Sequence, residues 1–289
     1  MPRLADVVAR LERAYDPAWA EPWDAVGLVC GDPEAQVRRV HFAVDPVGAV
    51  VEEAIATGAE LLVTHHPLYL GGTTSVAATT AKGRVVHRLI TAGVGLYVAH
   101  TNADVASPGV SDALAAAVGL VDVRPLAPPP ADPHDKVVTP TRGLGRVGEL
   151  AVPMTLGELT SHVAAALPST TWGVRAAGDA RRPVRTVAVC GGSGGDLADT
   201  AARVGADVLL TSDLKHHKVS EAVEDDVVAL VDAAHWATEW PWLTQAARLL
   251  DGTGGASPGA TVEATVSTIV TDPWTAHAHG TTPPQDGNS

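Results

Sequence analysis

The sequence predicts an α/β protein built from two related halves, and three observations carry that reading. The segment VHFAVDPVGAVVEEAIATGAELLVTHH at 40–66 aligns without a gap on VAVCGGSGGDLADTAARVGADVLLTSD at 187–213. Val40, Gly48, Ala54, Gly58, Ala59, Leu62 and Thr64 match Val187, Gly195, Ala201, Gly205, Ala206, Leu209 and Thr211. Each segment reads as an apolar run, a turn, a helix, a Gly-Ala break and a second apolar run. That is a βαβ unit, whose strands pair in parallel through a right-handed crossover. Between the two lies RPLAPPPADPHDKVVTPTRG, Pro-rich and without periodicity, which reads as a connector. The expected organisation is a first repeat over 1–123, the connector at 124–143, a second repeat over 144–271 and a mobile polar tail at 272–289.

Taken in order, the chain opens with Leu4, Val7, Val8 and Leu11 at helical spacing among charges, an amphipathic helix and not a secretory signal. LLVTHHPLYL at 61–70 is a strand that closes on His65-His66-Pro67. A strand sends successive side chains to opposite faces, but past its end both rings can turn to one point. Two surface histidines are the alternative. VGLYVAH at 94–100 closes on His100, with Thr101, Asn102, Ala103 and Asp104 following. In the second half one strand ends in Thr211-Ser212-Asp213, ahead of Lys215, His216 and His217. VVALVDAAH at 227–235 ends in His235, and Thr238-Glu239-Trp240-Pro241 reads as a helix start, with a capping Thr, an acid in the first turn and a tolerated Pro.

Composition narrows the class. The chain of 289 residues is 46% hydrophobic and 4% aromatic, the profile of a globular protein with room for a large core. No apolar run reaches the roughly 18–20 residues needed to span a bilayer. The two cysteines, Cys30 and Cys190, form no CxxC pair and fit a reduced cytoplasm. A net charge of −13 argues against a nucleic-acid surface, which is built from Lys and Arg. The one dense basic patch, Arg181, Arg182 and Arg185, reads as a solvated loop.

The polar residues gather at strand ends, where open α/β sheets bind ligands. His65, His66, Asp104, His235 and Glu239 form an imidazole and carboxylate set that Zn²⁺, Fe²⁺ or Mn²⁺ accepts. Five donors exceed one catalytic tetrahedral ion and suit two ions bridged by a carboxylate. Spacing alone does not show that four separate loops converge.

Several motifs together resemble one family. They are Trp23-Asp24-Ala25-Val26-Gly27-Leu28, Gly31-Asp32-Pro33, the THHP stretch, His100-Thr101-Asn102-Ala103-Asp104, the run GLGRVGEL from Gly143 to Leu150, Cys190-Gly191-Gly192-Ser193-Gly194, and Asp232-Ala233-Ala234-His235 with Glu239. The family is that of the dinuclear-metal hexameric proteins called GTP cyclohydrolase 1 type 2 homologues, or Nif-three-like proteins. The resemblance implies two intertwined α/β repeats with mixed, mostly parallel sheets, a homohexameric ring, and metal sites facing an inner cavity. It carries the five metal ligands onto His65, His66, Asp104, His235 and Glu239, with Glu239 as the bridge. The chain departs at Ala25, where the family has Asn, and at Ser212-Asp213, where it has Gly-Asp. The connector is too short for the domain some relatives insert there, so the chain resembles the compact form.

The chemistry that follows is hydrolysis by a metal-bridging hydroxide on a small molecule, a nucleotide in the family's label, with ring opening of a purine as the named activity. A metal-dependent phosphoesterase is the near rival. A metal-carrying or regulatory scaffold without catalysis is the alternative class. Glu239, spent on metal, cannot be the base, and His100 is the candidate for proton transfer. Its other role is support of a ligand. Asp213, Lys215 and His216 either meet substrate or decorate the rim. Arg146 either holds an anionic group or pairs with Glu149. CGGSGGD at 190–196 lacks the P-loop Lys and reads as a packing turn before an anion cradle. Cys190 reads as buried, and Trp236 and Trp240 as walls of the cavity.

Overall fold

The structure, a computed structural model, describes residues 1–129, 141–250 and 262–278. Helix α1 (Leu4–Ala14) precedes β1 (Gly27–Cys30), β2 (Arg39–Ala43), α2 (Gly48–Ala56), β3 (Leu61–Thr64), α3 (Ala81–Ala92) and β4 (Gly95–Val98). Two short helices, α4 (Thr101–Val105) and α5 (Val110–Ala117), lead into β5 (Leu120–Ala127). The second half runs β6 (Leu144–Thr155), α6 (Leu156–Ala166), β7 (Val174–Ala177), β8 (Pro183–Val189), α7 (Ala198–Arg203), β9 (Val208–Thr211), α8 (His216–Glu224), β10 (Ala229–Ala233), α9 (His235–Ala247) and β11 (Glu263–Val266).

Two mixed sheets result. One has the order β1-β4-β3-β2-β11, the other β5-β6-β8-β9-β10-β7. In the first, β4, β3, β2 and β11 are parallel and β1 antiparallel. In the second, β8, β9 and β10 are parallel and the rest antiparallel. The halves are intertwined: β5 joins the second sheet through β6, and β11 returns to the first beside β2. Neither sheet is therefore one contiguous stretch of chain. The internal match extends to strand register, since Val40 faces Leu61 and Val187 faces Val208, and one offset of 147 positions carries the first pair onto the second.

Side-chain alternation sorts the core into layers. Val40, Phe42, Leu61, Val63 and Tyr97 point inward from the first sheet, and Val187, Val189, Leu210 and Val231 from the second, into one core with Leu114 of α5 and Trp242 of α9. Ala43, Leu62 and Leu96 face outward onto α2 and α3. Ala188, Leu209 and Leu230 face outward onto α7 and α8. Strands covered on both faces need continuous apolar runs, as these have. Helix α1 buries Leu4, Val7 and Leu11 as its spacing predicts.

Four expectations meet different detail. Residues 124–127, assigned to the connector, belong to β5, because β6 supplies their ladder partners; residues 130–140 lie outside the described residues. The segment from 272 begins packed, with the Trp274 ring 5.7 Å from that of Trp172; residues 279–289 lie outside the described residues. Arg181, Arg182 and Arg185 each pair with an acid at the surface, Asp179, Asp226 and Glu149. Arg146 is 1% exposed and pairs with neither a ligand pocket nor Glu149. Positions three apart on a strand face opposite sides, so Glu149 meets Arg185 outside while Arg146 turns in. There its Nε and Nη2 donate to Asp112 at 2.6 Å each, and Nη1 donates to the carbonyls of Gly143 and Gly145.

Asp112→Ala strands that guanidinium, and the expected loss is about 3–5 kcal/mol of unfolding free energy. Glu149→Ala, which breaks only the surface pair, is expected to cost under about 1 kcal/mol. Urea titration of both variants checks the contrast; equal losses would remove the buried pair from its structural role.

Candidate metal centre

The parallel ladders bring several loops to one rim. Ala43 faces Thr64, and Thr64 faces Val98, so β2, β3 and β4 end level and release Asp45, His65-His66 and His100 side by side. Val189 faces Leu210, and Thr211 faces Asp232, so β8, β9 and β10 end level and release Gly191-Gly192, Asp213 and His235. The two rims meet. The rings of His65 and His66 lie 5.2 Å apart, and that of His66 lies 5.1 Å from His235. Both histidines of the THHP stretch thus reach one point.

The centre of the cluster is the Glu239 carboxylate, on a residue only 2% exposed. Its Oε1 lies 2.9 Å from His235 Nε2 and 3.4 Å from His65 Nε2, and its Oε2 lies 3.1 Å from His66 Nε2. Asp104 Oδ1 is 3.7 Å from His65 Nε2. Two groups could hold a metal: His65, His66 and His100, and His66, His235 and Glu239, each with donor atoms within 4.8 Å of one another. Asp104 is brought to the site but stands outside both groups.

Each imidazole is oriented through its other nitrogen. His65 Nδ1 lies 2.9 Å from the Ala99 carbonyl, His66 Nδ1 2.7 Å from Asp45, His100 Nδ1 2.8 Å from Asp24 and His235 Nδ1 2.6 Å from Asp213. A proton held at Nδ1 by an acceptor leaves Nε2 as a lone pair for a metal, the arrangement that metal-ligating histidines use. His65 Nε2 and Glu239 Oε2 are buried with no hydrogen bond among the described residues. Buried polar atoms left this way are costly unless something unseen completes them, and a divalent ion fits that donor set.

Without an ion the charges fall on the protons. Burial is the largest single influence and lowers each ring, but Glu239 together with Asp45 raises His66 to about 11, and Glu239 together with Asp213 raises His235 to about 10. His65 is raised by the same balance. Burial pushes Glu239 up, yet His66 and His235 hold it well below its ordinary value. Burial pushes Asp104 up to about 6. His100 moves the other way, lowered by burial and by His65 nearby. Burial also raises Asp24, but hydrogen bonds from Thr101 and His100 hold it below its usual range.

Several readings of single residues are settled here. Helix α9 starts at His235, three residues before the expected Thr238 cap, which places His235 and Glu239 four apart on one helix face. Pro241 therefore lies inside the helix, and Thr238 instead accepts from the Gly192 amide at 2.9 Å. Asp213 holds His235, while Lys215 and His216 are exposed. Trp236 is buried at the site, and Trp240 donates to the Ser267 carbonyl. The glycine turn packs: a Cβ on Gly194 would meet Cys190 Cβ at 2.6 Å, and one on Gly192 would meet Glu239 Oε1 at 2.5 Å and His235 Nε2 at 3.0 Å. Cys190 is buried, and burial raises its thiol far above neutrality. The partners that sequence reasoning missed are Asp24, Asp45 and Gly192. Asp24 sits in the WDAVGL motif and Asp45 just past β2, signals of place but not of role.

The model of the Duf34/NIF3 (NGG1p interacting factor 3) family matches residues 2–273, and the chain belongs to that family. A Streptomyces coelicolor protein named GTP cyclohydrolase 1 type 2 homolog is 56% identical over 277 residues, spanning 96% of this chain and 95% of its own length. A Mycobacterium tuberculosis protein of the same name is 38% identical over 371 aligned positions, covering 94% of this chain and 96% of the relative. That alignment is longer than the chain's 289 residues, so the relative carries residues this chain lacks. Among solved structures, a Bacillus cereus protein related to NIF3 superposes with a TM-score of 0.85 at 25% identity, over 95% of this chain and 99% of the other. A Staphylococcus aureus protein described as hypothetical gives 0.85 at 29% identity, over 96% and 100%.

Two tests follow from the geometry. Gly192→Ala is expected to weaken divalent-metal affinity roughly 10–100-fold, the scale seen when the groups supporting ligands are disturbed. Gly205→Ala has the same backbone sign, φ +79°, but nothing within 4 Å of the new Cβ, and is expected to leave affinity unchanged. Competition with a chelating dye measures both. Stability is the second. A ring raised on folding stabilises the fold fully below its unfolded value near 6.5, and that contribution fades as pH rises through the folded value. Metal-free protein is therefore expected to lose melting temperature from about pH 7 toward pH 10, because the unfolded chain gives up its histidine protons there while folded His66 and His235 must still take them up beside Glu239. A flat profile in scanning calorimetry would contradict it.

Proposed function

We propose that this member of the Duf34/NIF3 family is a metal-dependent hydrolase that holds two divalent ions through His65, His66, Asp104, His235 and Glu239 and acts on a nucleotide-type substrate. The observation that carries the reading is the Glu239 carboxylate set among the Nε2 atoms of His65, His66 and His235, with Asp104 beside His65 and each of the three rings' Nδ1 taken by a carboxylate or carbonyl. Glu239, with one oxygen toward His65 and His235 and the other toward His66, would be the carboxylate shared between the ions. The set accepts Zn²⁺, Fe²⁺ and Mn²⁺ alike, so supply decides among them. Bound ions supply Lewis-acid polarisation of a substrate oxygen and acidify water near neutral pH.

The chain's own residues do the rest. His100 is the proton-transfer group. Asp24 takes its Nδ1 and leaves Nε2 for the site, and burial keeps the ring neutral, able to accept a proton there. Asp45 and Asp213 keep His66 and His235 aimed. The relatives' name points to a purine nucleotide and ring opening as the reaction. The working form is a cytoplasmic homohexameric ring. Val121 and Val123 on edge strand β5 and Val152 on β6, 45%, 38% and 72% exposed, support a further assembly contact. The second reading, a metal-carrying or regulatory scaffold, is favoured by depth alone, since His65 is 1% exposed.

Metal analysis of protein purified without tag or chelator is expected to give about two ions per chain, lost in His65→Ala and Glu239→Ala. His100→Gln is expected to keep the metal and slow hydrolysis of guanosine triphosphate by about 10²–10⁴-fold. Retained metal with no turnover of any nucleotide would favour the scaffold; no retained metal after reloading would end both readings.

A further inference from the structure

We propose that the cavity between α2 and α3, which opens onto His66, holds the anionic end of the substrate through Lys82 and Arg84. The phosphates of a nucleotide bind there, with its uncharged part toward the metal centre. The proposal deepens the nucleotide reading and rests on it for the choice of ligand. The cavity has a volume of about 650 Å³ and shares His66 and Asp45 with the centre. That lies within the roughly 300–1,000 Å³ typical of small-molecule sites. Its apolar lining comes from Val51 of α2, Leu68 beyond β3 and Val85 of α3, which are buried in one layer.

Charge decides what this cavity takes. Two carboxylates line it, Asp45 and Glu52, and both are committed. Asp45 takes His66 Nδ1 at 2.7 Å and the Thr271 hydroxyl. Glu52 accepts two hydrogen bonds from Arg88, at 2.6 and 2.5 Å. The other two cations of the wall, Lys82 and Arg84, form no ion pair among the described residues. Lys82 Nζ lies 5.5 Å over the Tyr69 ring, and Arg84 Nη1 reaches only the carbonyls of Ala78 and Thr79, at 3.5 and 3.4 Å. Both side chains are exposed and can turn onto a ligand. Their backbone is fixed. Thr80 caps α3 by accepting from the Gly83 amide at 3.0 Å, and a Cβ on Gly83 would meet the Ala77 carbonyl oxygen at 1.8 Å. That packed turn sets both stems on the wall of the cavity. Helix α2 begins on the same wall at Gly48, with no side-chain cap and no acid in its first turn, so its dipole adds to the same sign. At the centre, by contrast, His66 lies between Asp45 and Glu239, and His235 between Asp213 and Glu239. The positive charge still without a carboxylate is that of Lys82 and Arg84. A phosphate supplies the missing anion through charge-assisted hydrogen bonds, and the arginine fork matches its oxygens.

The experiment is calorimetric titration of the whole chain, stripped of metal with a chelator, with guanosine triphosphate, guanosine and inorganic tripolyphosphate. Three proteins are compared: the unaltered chain, Lys82→Gln with Arg84→Gln, and Arg203→Gln with Lys218→Gln. The last pair removes the same two charges from exposed positions that line neither cavity of the centre. The unaltered chain is expected to bind guanosine triphosphate at least about tenfold more tightly than guanosine. The Lys82 and Arg84 variant is expected to lose about tenfold or more in affinity for guanosine triphosphate and for tripolyphosphate. The Arg203 and Lys218 variant is expected to keep the affinity of the unaltered chain. No binding of guanosine triphosphate, an affinity no greater than that of guanosine, equal affinity in the Lys82 and Arg84 variant, or an equal loss in the control variant overturns the proposal. Metal content and nucleotide turnover, measured in parallel on reloaded protein, tell the two readings apart. Metal and turnover kept while the Lys82 and Arg84 variant binds normally would end the phosphate site alone. Neither metal nor turnover, with binding still dependent on Lys82 and Arg84, would end the hydrolase reading and leave the phosphate site standing.

Discussion

The Glu239 carboxylate is buried at the seam of the two sheets, and the structure around it follows from that placement. A carboxylate out of water is costly unless cations or donors surround it. Here the surrounding groups are His65, His66 and His235, arriving from β3 and β10. Their rings help only if they present Nε2, so each needs an acceptor behind it. Asp45, Asp213 and the Ala99 carbonyl fill that role. The crowding leaves no room for a side chain at position 192, which explains a glycine there better than any anion-binding motif does.

The seam exists because the repeats exchange strands. β11 closes the edge of the first sheet and β5 the edge of the second, so the inner faces share one core around Trp242. Trp242 also donates to Tyr15 Oη at 3.0 Å, and its ring lies tilted 5.3 Å from that of His65, so the core ends directly at the candidate metal centre. Positions of the ligands are thus held by packing, not by loop stiffness.

The two flanks of the centre differ in chemistry. One is acid-lined and rich in tryptophan; the other is apolar with basic residues along its wall. His66 and Asp45 stand between them.

Much of this was legible in the chain. The βαβ match at 40–66 and 187–213, the strand-end histidines and the donor chemistry of His65, His66, Asp104, His235 and Glu239 are local or pairwise properties, set by periodicity and residue type. Other features needed the fold. Arg146 found Asp112 rather than Glu149 because strand alternation turned it inward. Helix α9 begins at His235, which sets His235 and Glu239 four apart on one helix face. Asp24, Asp45 and Asp213 gained their roles by lying behind rings that approach from other strands. A sequence determines by itself what its neighbours along the chain compel: strand and helix periods, turns, and the kinds of ligand atom on offer. Which of those atoms meet is decided by the packing of segments distant along the chain, because a contact's energy depends on separation in space, and only the tertiary structure sets that.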